Sequence, residues 1–89
     1  MDGENIFLIL TFDSTHHAMR AESILKDEKI SIKTIPTPRD ITLSCGLAIK
    51  ASVLDKEKIV KMYEDKILDF KNLYEISIID NKRELKKII

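Results

Sequence analysis

Seven consecutive residues, Ile6-Phe7-Leu8-Ile9-Leu10-Thr11-Phe12, form an apolar, aromatic and β-branched run. The run is far too short to span a bilayer, and it carries too little polarity for a strand with one wet face. It reads as a central strand covered on at least one side, so the rest of the chain must supply that cover. Capping residue types follow at once in Asp13, Ser14 and Thr15, and Ala18, Ala21 and Leu25, with Met19 and Ile24 beside them, recur at helical spacing through Glu28. A first helix therefore starts directly after the first strand.

Ile30-Ser31-Ile32-Lys33-Thr34-Ile35 alternates apolar and polar residues and stops at Pro36, the pattern of a second strand with one exposed face. From Pro36 to Gly46 no period holds, and both prolines of the chain fall in this one long loop. Leu47 to Val53 reads as a third strand. Asp55 then caps a second helix whose apolar stripe is Ile59, Val60, Met62, Tyr63 and Ile67, with Lys56, Glu57, Lys58, Lys61, Glu64 and Asp65 on the wet face. Tyr74 to Ile79 alternates as a fourth strand, and Asn81-Lys82-Arg83-Glu84 has the spacing of a capping box ahead of a short basic C-terminal helix.

The order β-α-β-β-α-β predicts an α+β, ferredoxin-like fold, with two helices on one face of a four-stranded antiparallel sheet. Its 89 residues leave room for one core, so residues 1–80 are expected to form the domain and residues 81–89 a basic tail. Fifteen basic and fifteen acidic residues cancel, which weighs against nucleic acid as a partner. A single Cys excludes an intrachain disulfide, and the acidic Asp2 and Glu4 after Met1 do not resemble an export leader. The expectation is a cytoplasmic, reduced protein without a membrane segment.

In this topology the first helix begins at the sheet end where the second strand passes to the third, so Asp13–His17 and Thr37–Gly46 are expected to converge. Cys45 is the sharpest chemical candidate, because a nearby helix N-terminus favours thiolate and lowers a thiol pKa from its reference of about 8.5. Gly46 leaves the sulfur unshielded on one side, and Ser44 can donate a hydrogen bond to it. The competing reading is a cysteine that merely packs as a small core hydrophobe. Pro36 and Pro38 restrict Thr37, and a stiff loop can hold Arg39 over an anion or thiolate at little entropic cost; alternatively Arg39 simply points into water. His16 and His17 fall on the first helical turn, where one of them could move a proton. Adjacent helical residues diverge by about 100°, so at most one faces Cys45, and a zinc site built from Cys45 and both histidines is disfavoured. No metal or cofactor is expected.

Thr11-Phe12-Asp13-Ser14-Thr15-His16-His17-Ala18, Glu22, Ile35-Pro36-Thr37-Pro38-Arg39-Asp40-Ile41 and Ser44-Cys45-Gly46-Leu47-Ala48-Ile49 together resemble the short prokaryotic proteins described as putative selenium/sulfur carrier protein-like, a domain-of-unknown-function family. The resemblance runs from Ile6 to Tyr74 and leaves out the basic tail. By this resemblance Cys45 matches the family's Cys-Gly motif, and Thr37, Pro38 and Arg39 match its loop motif. It implies a carrier, not an independent enzyme, that accepts sulfur or selenium on Cys45 as a persulfide or selenenylsulfide. The implied partners are a chalcogen donor such as a cysteine desulfurase and a downstream acceptor protein. Two other readings stand beside it: a small-anion or protein-binding regulatory module in which Cys45 only packs, and a structural subunit that forms a homodimer through sheet edges or its tail.

Overall fold

A computed structural model describes residues 6–37 and 46–89 of the chain. The elements are β1 (Ile6–Thr11), α1 (Thr15–Asp27), β2 (Ile32–Pro36), β3 (Leu47–Ser52), a 3-10 turn (Val53–Asp55), α2 (Lys56–Glu64), β4 (Asn72–Ile79) and β5 (Lys82–Lys87). The strands form a single antiparallel sheet in the order β2-β3-β1-β4-β5. The largely apolar first strand takes the central place, paired with β3 on one side and β4 on the other.

Leu8 pairs with Ala51, and Leu10 with both Ile49 and Leu73, so these side chains share one face of the sheet. Ala18, Ala21 and Leu25 of α1 and Ile59 and Met62 of α2 pack onto that face and form the main core. Leu25 is wholly buried, and removing such a side chain from water contributes roughly 1.5–3 kcal/mol. Among the described residues no helix packs on the opposite face. Its central residues Ile9, Ala48 and Ile76 are also buried, flanked by Phe7, Ile35 and Tyr74, and the Lys50 ammonium lies 4.5 Å from the centre of the Phe7 ring. Among the described residues no helix is long and apolar enough to cross a membrane.

Both helices stop in the same way. After α1, Lys29 adopts φ 60°, and the amides of Lys29 and Ile30 donate to the carbonyls of Lys26 and Leu25. After α2, Lys66 adopts φ 64°, and the amides of Lys66 and Ile67 donate to those of Tyr63 and Met62. This is the paired closure usually built on a left-handed glycine, here made with a lysine whose charge suits the negative end of the helix. It corrects the expected apolar stripe of α2: the chain reverses at Lys66, Ile67 is left 54% exposed, and Leu68 and Phe70 enter the core instead.

Two further expectations are corrected at the C-terminus. Among the described residues the sheet has five strands rather than four, and residues 82–87 extend it as β5 instead of forming a helix. Asp80 and Asn81 both take positive φ, 51° and 63°, and Ile79 pairs directly with Lys82 across them. Two left-handed residues in a two-residue loop turn a hairpin whose twist matches the strands, a geometry that asparagine tolerates well. Asn81, with capping spacing toward Glu84, is therefore a turn residue. Beyond β5 the Ile88 amide donates to the Leu73 carbonyl at 2.7 Å, and Ile88 and Ile89 pack against the main core.

Candidate functional site

Sheet register sets which sequence-predicted residues share one end of the molecule. Thr11, at the end of β1, pairs with Ala48, and Pro36, at the end of β2, pairs with Leu47. The ladder gains one more rung where the Thr37 amide donates to the Gly46 carbonyl at 3.2 Å. Thr37 and Gly46 thus clamp the two ends of the β2–β3 loop. Only Phe12 and Asp13 separate β1 from Ser14, the residue that caps α1, so the helix N-terminus lies at this same sheet end. The convergence expected from topology holds for these described residues. Pro38, Arg39, Ser44 and Cys45 lie outside the described residues.

Several details of this end follow from residue chemistry. Ser14 has an extended backbone, and its hydroxyl oxygen accepts from the His17 amide at 3.3 Å, satisfying one of the open donors of the first turn. The same oxygen lies 3.0 Å from His17 Nδ1, which ties the imidazole to the cap. His16 and His17 are both exposed. Lys71 Nζ stands 3.6 Å from Asp13 Oδ1, and the Lys71 amide donates to the Thr11 carbonyl at 2.7 Å, so β1 and the start of β4 are joined at the same edge. The Thr37 hydroxyl is buried and has no hydrogen-bond partner among the described residues. A Cβ added at Gly46 would meet nothing within 4 Å, so neither packing nor backbone conformation among the described residues demands glycine there.

One electrostatic coupling holds α1 against β2. The Thr34 hydroxyl donates to Glu22 Oε2 at 2.9 Å, and Lys26 lies 3.4 Å from the same oxygen. The hydroxyl, with Lys26 as the second influence, holds the Glu22 carboxyl below the ordinary carboxylate range. Among the described residues no three His, Cys, Asp or Glu side chains are grouped to hold a metal ion.

Sequence reasoning missed a cleft of about 630 Å³ between α1 and the turn that follows α2, lined by His17, Arg20, Ala21, Ile24, Tyr63 and neighbouring residues of that turn. His17, Arg20, Ala21 and Ile24 have the spacing of one helical stripe, a signal visible in the sequence. The opposite wall depends on the reversal at Lys66, which no glycine announced.

Residues 7–75 match the family model described as "Putative Se/S carrier protein-like". The chain is also 42% identical over 72 residues to an uncharacterized protein of Methanocaldococcus jannaschii, an alignment that covers 81% of this chain and 35% of that relative. The chain thus spans about a third of that relative's length. No solved structure matches.

Proposed function

The chain belongs to the Putative Se/S carrier protein-like family, and from that premise we propose that it carries sulfur or selenium on Cys45. The observation behind this reading is the family match, which spans the whole of the β2–β3 loop and the two strands that hold it. The clamp between Thr37 and Gly46 supports it, because a loop closed at its base loses less entropy when its tip is ordered around a ligand.

The proposed step is a sulfane transfer. The Cys45 thiolate attacks the outer sulfur of a persulfide on a donor such as a cysteine desulfurase. A new S–S bond forms on Cys45, the donor's own S–S bond breaks, and the donor leaves as a thiolate. Cys45 then holds a persulfide, and no external oxidant or reductant takes part. With a selenium-bearing donor the same exchange yields a selenenylsulfide. Arg39, Ser44 and the first-helix amides stabilise the anion, Gly46 leaves the sulfur unshielded, Thr37 and Pro38 stiffen the loop, and His16 or His17 takes up or returns the proton. A downstream acceptor protein discharges the cargo, and a cytoplasmic setting that keeps thiols reduced suits such a cycle.

The reading requires an open, activated thiol. Native protein titrated with iodoacetamide across pH is expected to alkylate fully at Cys45, with an apparent pKa below the free-thiol reference of about 8.5. Alkylation only after addition of denaturant would remove the proposal.

A further inference from the structure

The cleft between α1 and the α2–β4 turn combines an apolar floor with charges of both signs. Ala21 and Leu68 are buried at 2% and 1% exposure, and Ile24 is half-buried beside them. Tyr63 is held rigidly, its ring stacked on Phe70 with centroids 4.4 Å apart and planes inclined by 26°. The reversal at Lys66 brings Glu64, Lys66 and Asp69 to the rim of the same cleft, opposite Arg20.

Among the described residues these four charges form no ion pair with one another. Elsewhere on the molecule Lys26 pairs with Glu22, Lys56 with Glu75, Lys61 with Asp65 and Lys71 with Asp13, yet Arg20, Glu64, Lys66 and Asp69 enter no ion pair among the described residues. Two cations and two carboxylates therefore line one concavity and keep their hydrogen-bonding capacity. A purely anionic ligand would meet repulsion from Glu64 and Asp69, and a purely cationic one from Arg20 and Lys66. A ligand with both charges on one short stem, and an apolar group beyond it, satisfies every wall. Its carboxylate takes the planar fork of Arg20 or the ammonium of Lys66, its own ammonium takes a carboxylate, and its apolar part lies on Ile24, Tyr63 and the exposed Ile67.

We propose that this cleft binds a free α-amino acid with an apolar side chain. The inference does not rest on Cys45 or on chalcogen transfer. It is tested by titrating the full chain with L-leucine, L-methionine and L-phenylalanine, following backbone amides by heteronuclear NMR up to about 20 mM, which reveals millimolar affinities. Saturable shifts are expected at Ala21, Ile24, Tyr63 and Leu68 for at least one of the three. Arg20→Ala, at an exposed position, should weaken binding roughly tenfold or more, the loss expected for a charge-assisted contact. Isoamylamine and isocaproate, which each lack one charge of leucine, should bind more weakly than leucine by a similar factor. Cys45→Ser should leave the titration unchanged, which separates this site from the carrier reading. Absence of shifts with all three amino acids, shifts confined to residues outside the cleft, or equal affinity for the singly charged analogues would overturn the proposal.

Discussion

Two hairpins of this sheet are built to opposite specifications. Between β4 and β5 the chain reverses through Asp80 and Asn81 alone, both left-handed, with Ile79 and Lys82 paired at the base. Between β2 and β3 the final rung is Thr37 with Gly46, and residues 38–45 lie beyond it. A reversal needs no more than the first arrangement, so the second spends closure entropy on residues that the sheet does not require. The short turn closes on its own two residues, whereas the ends of the long one, Thr37 and Gly46, lie at the end of the sheet where α1 begins. Substitutions in the two hairpins should accordingly separate chemistry from stability.

The largest separation is expected from Arg39→Ala. If the guanidinium supports the thiolate, this variant raises the apparent pKa of Cys45 by about one unit and slows alkylation at neutral pH up to tenfold, with little change in unfolding midpoint. Asn81→Val is its counterpart: it should cost about 1–2 kcal/mol, because a β-branched residue is forced into left-handed backbone, while the alkylation profile stays that of the parent. Urea unfolding and alkylation measured on the same two variants decide the point, and a swap of effects would erase the distinction between the hairpins.

Thr37→Val sharpens the comparison at the base of the longer hairpin. Its buried hydroxyl has no partner among the described residues, so replacement by a methyl group is expected to be neutral or to stabilise by up to about 1 kcal/mol, and a loss of stability would contradict this. Chemical denaturation reads the sign. The smallest effect is expected on the acid side. Because Thr34 and Lys26 lower the pKa of Glu22 in the folded state, the carboxylate contributes stability above its unfolded pKa, and that contribution is lost as pH falls through the lower folded value. Thr34→Val should raise the Glu22 pKa in an NMR titration and flatten this part of the stability profile.

How far the sequence disclosed these features depends on which physical signal each left behind. The central strand was legible because Ile6–Phe12 is apolar but for Thr11, and α1 because Ser14 precedes Ala18, Ala21 and Leu25 at helical spacing. The α+β class followed from the order of elements. The fifth strand was not legible: Lys82–Lys87 is exposed along its whole length and carries almost no apolar alternation, so Asn81 and Glu84 read as a helix cap. Its place is set by the turn before it and by Ile88 and Ile89 after it. Helix ends were blurred for a related reason, since Lys29 and Lys66 occupy positions where glycine is the usual marker. At the candidate site, topology foretold that the Thr37–Gly46 ends lie with the start of α1. The cleft beside Arg20 was hidden because half of it comes from a turn that only tertiary structure defines.

The carrier reading stands or falls on cargo. Intact-protein mass spectrometry after incubation with a cysteine desulfurase and free cysteine should show the chain heavier by one sulfur atom, with the added mass released by thiol reductant and absent from Cys45→Ser. A native chain whose mass does not change, or one that gains sulfur equally well without Cys45, would contradict it.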